Sequence, residues 1–238
     1  MQELSLLVTN NGNTKVRKTA EGTPFRIASL SMAPDDIICK NRKIAECDKP
    51  CLFKSGRGQM QIVQNSRRAK TKLWHNDRDL FIDILTRELN AFIRSCKKSG
   101  HIPAARLNTI SDIPWEDYGI PQLFSPLGLK MYDYTKIADR LGKTPDNYSL
   151  MFSYSSAPAY QEEVRKALAT DCPISVVFRG GMPSSFLGRE VIDGDRSDLF
   201  NLEAQGKIIG LKLKGGKEIQ SSSSPFIVDN PEIEEAAA

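Results

Sequence analysis

The sequence predicts an α/β protein whose parallel sheet is open or closed, with a partial or compact, TIM-like β/α barrel entered through an N-terminal β-hairpin as the favoured form. Three observations predict it. Short β-like runs alternate with helical or loop segments along most of the 238 residues, the pattern that builds parallel sheets. One long segment, residues 77–99, carries apolar residues at helical spacing. The first runs are joined by a polar Asn/Gly turn, the signature of a hairpin.

The hairpin pairs residues 4–8 with 25–30 across the turn around Asn10, Gly12 and Asn13, and Pro34 ends the second strand. A cysteine-bearing loop, 39–58, follows at once. Residues 59–75 are helical in composition, with Arg67, Arg68, Lys70 and Lys72 crowded on the second half. In 77–99, Phe81, Ile84, Leu85, Leu89, Phe92, Ile93 and Cys96 recur on one face, Asn76 is placed to cap the start, and Lys97, Lys98 and Gly100 mark the end. This puts Cys96 in the core. Further strands are read at 104–108, 130–134, 149–153, 174–178, 190–192 and 208–213, with helices near 136–141, 160–170 and 197–202. Residues 1–220 form a single domain on this reading, and 221–238, opening with four serines, form a flexible polar tail.

Composition narrows the function. The net charge of +4 is mild, and Lys/Arg are interleaved with Asp/Glu, so charge alone does not establish a nucleic-acid partner. The basic turn of Arg67, Arg68, Lys70 and Lys72 is the place where one would dock, although such runs are commonly solvated helix faces. No basic N-terminal region precedes an apolar segment, and no apolar run approaches the ~20 residues that a membrane span requires. The expected compartment is the cytosol, where thiols stay reduced.

Three of the five cysteines, Cys39, Cys47 and Cys51, lie in one polar loop with seven and three residues between them. Such crowding points to metal or cluster ligands rather than disulfide partners. Structural zinc takes four protein ligands, and the nearest candidate for a fourth, His75, would have to reach back from a helix end. An iron–sulfur cluster held by three thiolates leaves one iron open to a substrate or to S-adenosylmethionine. Zinc, and no metal at all, stay open as alternatives. The loop ends in Lys54-Ser-Gly-Arg57-Gly58, whose donors suit a cluster or an anion.

Parallel β/α folds place chemistry at the C-terminal ends of their strands. The residues there are polar: Asn108, Thr109, Ser111 and Asp112; Asp133, Thr135 and Lys136; Ser153 and Ser155; Arg179; Asp193 and Asp195; Lys212 and Lys214. Together they suit a polar small molecule. Taken singly, Asp and Ser after a strand are commonly caps or turn formers, and Asp193-Gly-Asp195 reads as a turn before it reads as a cation site. His75 and His101 sit at helix ends, where a structural role suffices. Cys172, before Pro173 at the entry to an apolar strand, reads as buried and inert.

In order, the blocks Cys51-Leu-Phe-Lys-Ser-Gly-Arg-Gly58, Arg106-Leu-Asn-Thr-Ile-Ser-Asp-Ile-Pro-Trp-Glu116, Tyr132-Asp-Tyr-Thr-Lys136, Asn147-Tyr-Ser-Leu-Met-Phe-Ser153, Val191-Ile-Asp-Gly-Asp195 and Gly210-Leu-Lys-Leu-Lys214 resemble the bacteriophage gene product 88 proteins, an uncharacterised family. They are more distantly similar to the phage gene product 37/68 family, which is related to radical S-adenosylmethionine enzymes. That likeness rests on a cysteine loop before a strand ending in Ser111-Asp112 and a later strand ending in Thr135-Lys136. It implies a radical-SAM-like partial barrel, a [4Fe–4S] cluster on Cys39, Cys47 and Cys51, and a phage protein acting in the cytoplasm of an infected bacterial host. Arg57, Asn108, Ser111, Asp112, Asp133, Lys136, Ser153, Asp193 and Lys212 would then line the substrate or cofactor site of a radical S-adenosylmethionine enzyme. The alternative is a non-catalytic, metal-stapled protein that binds host protein or nucleic acid.

Overall fold

The alternation of strand and helix resolves into a mixed α/β architecture with a ten-stranded, mostly parallel sheet. The computed structural model describes residues 4–9, 20–54, 56–195, 198 and 203–230. In hydrogen-bonded order the strands are β1 (Leu7–Thr9), β2 (Phe25–Leu30), β3 (Ile102–Arg106), β4 (Lys130–Thr135), β5 (Tyr148–Ser153), β6 (Ile174–Arg179), β9 (Ile208–Lys212), β8 (Arg189–Asp193) and β7 (Ser185–Phe186), with β10 (Ile227–Asp229) also on β6. The pairs β1–β2 and β7–β8 are antiparallel; β2–β3, β3–β4, β5–β6, β6–β9, β8–β9 and β6–β10 are parallel. The helices are α1 (Gln61–Asn76), α2 (Arg78–Lys98), α3 (Ile120–Phe124), α4 (Gln161–Leu168) and α5 (Lys217–Gln220).

Contacts divide the chain into two units, where composition suggests one domain. Unit 1 is Met1–Cys39, Gln59–Asp133 and Thr144–Ser149; unit 2 is Lys40–Gly58, Tyr134–Lys143 and Leu150–Ala238.

In unit 1, α2 forms where its apolar spacing predicts. The Asp77 carboxylate caps it by accepting from the Leu80 amide at 3.0 Å. Asn76, the expected cap, is instead the last residue of α1, because that helix runs on through it and leaves Asp77, an equally good cap, at the start of α2. The buried face is Phe81, Ile84, Leu85, Leu89, Phe92, Ile93 and Cys96. Each large apolar side chain contributes about 2 kcal/mol on burial. Cys96 and Phe92 pack on Ala28 of β2, with Leu7 of β1 against them, so Cys96 is core as expected. Trp74 of α1 meets Phe81 edge-on at 5.2 Å, and the Arg78 guanidinium lies 4.5 Å over the Trp74 ring. These contacts fix the α1–α2 corner.

In unit 2, β6 pairs with β9 from Ile174 to Phe178. Its other edge is shared: β5 pairs at Ile174 and Ser175, and β10 takes over at Val177–Arg179. Residues 221–230, read from composition as the start of a tail, therefore carry a strand. The reason is tertiary: the backbone of β6 offers hydrogen bonds beyond the point where β5 leaves it. The strand expected at 104–108 lies instead at Ile102–Arg106, because the Asn108 amide turns away to the Asp133 carboxylate. The helix expected at 136–141 is a single 3-10 turn, Ala138–Arg140, closed off by Gly142 at φ 70. The turn at 10–13, the helix expected at 197–202 apart from Asp198, and residues 231–238 lie outside the described residues.

Candidate functional site

The strand-end residues of unit 1 gather into one network. Asp133, in the second half of β4, is 1% exposed. Its carboxylate accepts from the Asn108 amide at 2.7 Å and from the Tyr148 hydroxyl at 2.9 Å. The Asn108 side chain accepts from Ser111 Oγ at 2.8 Å and the Ile113 amide at 2.9 Å, and donates to the Ile113 carbonyl at 2.9 Å. Three of the predicted ligand-binding residues, Asn108, Ser111 and Asp133, are thus brought together, and these bonds hold the loop after β3 in shape. Asp112, beside them and buried, donates its amide to the Ile38 carbonyl at 2.7 Å. Tyr148 was not singled out in the sequence, where nothing marks an aromatic hydroxyl as the partner of a distant Asp.

Unit 1 also holds the approach to the cysteine loop. Asp35 accepts from the Ile37 and Ile38 amides at 2.9 and 3.0 Å through one oxygen and meets His75 Nε2 at 2.7 Å through the other. The Cys39 amide donates to the Asp35 carbonyl at 3.0 Å. Burial raises the Asp35 carboxyl, but the His75 bond and the Ile38 and Ile37 amides outweigh it and hold it below its ordinary value. His75, a structural helix-end residue in the sequence, orients this turn.

In unit 2 the cysteine loop is fastened to residues that follow the strand ends. Asn41 Nδ2 donates to the Lys136 carbonyl at 2.8 Å, just past β4. Ser155 Oγ, just past β5, donates to the Ala45 carbonyl at 2.7 Å. Ser224 Oγ, shortly before β10, donates to the Glu46 carbonyl. Within the loop, the Cys47 amide donates to the Arg42 carbonyl at 3.2 Å and the Lys54 amide to the Cys51 carbonyl at 2.9 Å. Cys47 is buried and Cys51 half-buried. Burial pushes the Cys47 thiol up; the Lys136 ammonium pulls it back, while Cys51 and Asp48 add to the rise. Cys51 and the Lys136 ammonium therefore each lie within electrostatic reach of Cys47. Lys136 Nζ sits 5.3 Å from the Phe226 ring centre, and its carbonyl, with that of Ser153, accepts from the Tyr160 hydroxyl at 3.1 and 2.9 Å.

Among the described residues, no group of three or more His, Cys, Asp or Glu side chains is gathered closely enough to hold a metal ion. Cys39, the first thiol of the loop sequence, is buried in unit 1. The donor chemistry suits soft metals, since thiolates prefer iron–sulfur and zinc.

The other predicted residues sit elsewhere. Asp193 Oδ1 accepts from the Asp195 amide at 2.9 Å and Asp195 pairs with Lys214, so Asp193-Gly-Asp195 is a turn. The Lys212 amide reaches the Asp195 carboxylate at 3.3 Å. The Arg57 side chain lies outside the described residues. On α1, Arg68 and Lys72 are exposed, whereas Lys70 is buried and donates to the Leu6 carbonyl at 2.7 Å. Cys172 is half-buried, its thiol pushed up by burial to about 11, as an inert cysteine should be. Ser224 and Phe226 were missed because their segment reads as a tail.

The site is a cysteine loop bolted to the strand ends of a mostly parallel α/β protein. The family model described as Gene product 88 matches residues 5–229, and the chain belongs to that family, the phage family that its sequence blocks resemble. No curated protein and no solved structure matches it. Among the described residues, no helix is long and apolar enough to cross a membrane.

Proposed function

We propose that this protein is a phage iron–sulfur protein that binds a [4Fe–4S] cluster through Cys39, Cys47 and Cys51 on a radical-SAM-like β/α barrel, in the host cytoplasm. The observation that carries the reading is the seating of the cysteine loop. Asn41 and Ala45 are each bonded to a residue just past the C-terminal end of a strand, which is where parallel β/α proteins hold their chemistry, and Glu46 is fastened as well, to Ser224. The strand order supports the barrel. β2 through β6 are neighbours in chain order, as in a singly wound barrel, and the order reverses only beyond β6, as β9-β8-β7.

Metal binding couples to the folding of its loop, so closure of the three thiols around iron accompanies binding. When bound, a cluster on three thiolates supplies an iron site open to S-adenosylmethionine or substrate. Radical S-adenosylmethionine chemistry is the enzymatic form of this reading, with the Lys136 ammonium near enough to Cys47 to favour its thiolate. Zinc is the alternative metal.

A second reading, a metal-stapled module that binds host protein or nucleic acid, is favoured by the surface of α1. There Ile62 is 74% exposed, and Arg68 and Lys72 are exposed as well. Binding to nucleic acid that falls steeply with salt, in protein inert toward S-adenosylmethionine, would establish it.

Anaerobic reconstitution with iron and sulfide, followed by quantification of iron, sulfide and zinc, tests the main proposal. The expected product is a brown species absorbing near ~400 nm with roughly four iron atoms per chain, lost in each of Cys39→Ala, Cys47→Ala and Cys51→Ala. Stoichiometric zinc without that absorption, or indifference to the three substitutions, would overturn it.

A further inference from the structure

Two serine hydroxyls grip consecutive carbonyls of the cysteine loop: Ser155 holds Ala45, and Ser224 holds Glu46. Both serines are buried, at 0% and 2% exposure. Each also accepts a backbone amide, Ala157 on Ser155 Oγ at 3.2 Å and Phe226 on Ser224 Oγ at 3.3 Å. With its acceptor side occupied, each hydroxyl directs its single proton to the loop. Between these bolts and the buried Cys47 lies Glu46 at φ 49, in the left-handed region that a residue with a side chain occupies only under constraint. The Cys47 amide is tied back to the Arg42 carbonyl at 3.2 Å, closing the turn.

We propose that Ser155 and Ser224 are positioning residues for Cys47, holding Glu46 in its left-handed turn and so keeping the Cys47 thiol turned inward in the metal-free loop. Strand β10 then has a task beyond completing the sheet: its pairing with β6 delivers Ser224. The significance of the device rests on the proposed function, because a pre-aimed thiol is a ready metal ligand. Its test does not require metal.

The test is the alkylation rate of each cysteine by iodoacetamide in reduced, metal-free, full-length protein, read by peptide mass spectrometry. Ser224→Ala is expected to alkylate at Cys47 about fivefold faster, the factor that one lost hydrogen bond converts to. Cys96 and Cys172 should keep their wild-type rates, and Ser224→Thr should restore the slow rate. Glycine adopts a positive φ without strain. In a Glu46→Gly background the speed-up from Ser224→Ala should therefore shrink to less than about twofold. An unchanged Cys47 rate in Ser224→Ala, or a rise shared equally by Cys96 and Cys172, overturns the proposal. The expected rates in protein that takes up neither iron nor zinc would keep the positioning role and remove the metal reading.

Discussion

Lys70 offers a sharp test of the unit 1 core. The residue is 4% exposed, and its ammonium donates to the Leu6 carbonyl at 2.7 Å and lies within reach of Glu88, whose carboxylate accepts from the Leu6 amide at 2.9 Å and the Leu7 amide at 2.7 Å. Burial lowers Lys70 from 10.5 to about 8; Glu88 opposes the shift and Arg67 adds to it. Each tenfold change in proton affinity is worth about 1.4 kcal/mol, so charged Lys70 costs the folded state about 3 kcal/mol. Above pH 8 the folded chain releases this proton, while the unfolded chain keeps it to about 10.5. The unfolded state then binds more protons, and stability rises with pH across that window. Lys70→Met keeps the apolar stem and removes the titration. Urea unfolding of both proteins from pH 7 to 10.5 isolates the effect, because other groups cancel in the difference. Wild type should gain about 3 kcal/mol on the mutant between pH 8 and 10.5. Near neutral pH the two should differ little, since the relieved burial of charge offsets the lost bond to Leu6. A difference that stays flat with pH would refute the buried, shifted lysine.

Three further outcomes follow from geometry. A Cβ on Gly194 would stand 2.3 Å from Ile209 Cγ2 and 3.0 Å from the Gly210 carbonyl, so Gly194→Ala should cost about 1–3 kcal/mol in chemical denaturation by overpacking the β8–β9 contact; an unchanged midpoint would contradict that close approach. Asp133→Ala deprives the Asn108 amide and the Tyr148 hydroxyl of their acceptor and should cost about 2–4 kcal/mol, with Tyr148→Phe costing about 1 kcal/mol and the double mutant less than the sum, measured as a double-mutant cycle. Asp35, held below its ordinary value, contributes stability above the usual carboxylate range and loses it as pH falls through its folded value. Asp35→Asn should therefore lower stability at neutral pH and flatten the acid limb below about pH 4, so that its difference from wild type shrinks as the pH falls.

Much of the fold is legible in the chain because it is written in local periodicity. The helix around Phe81–Cys96 needs only its own apolar spacing, and strands such as Ile174–Arg179 are short apolar runs that read the same in any context. The crowding of Cys39, Cys47 and Cys51 is likewise a fact of sequence, and by itself marks the loop as a candidate ligand-bearing segment.

What lay beyond the sequence are pairings between distant residues. Ser221–Ser224 and the residues after them have the composition of a tail, yet Ile227–Asp229 become a strand because β6 has an edge that β5 leaves unpaired. Lys70 reads as one cation in a basic run, yet it is withdrawn to the Leu6 carbonyl, because only the folded chain brings that backbone group to it. Asn108, Ser111 and Asp133 read as ligand-binding groups at strand ends, and their atoms are engaged with one another and with Tyr148. The sequence by itself determined the residue chemistry available to the cysteine loop and the elements that flank it. Tertiary structure alone decided which hydroxyls bolt that loop in place, because a hydrogen bond such as Ser224 to Glu46 joins residues that have no sequence relation and meet only when β10 pairs with β6.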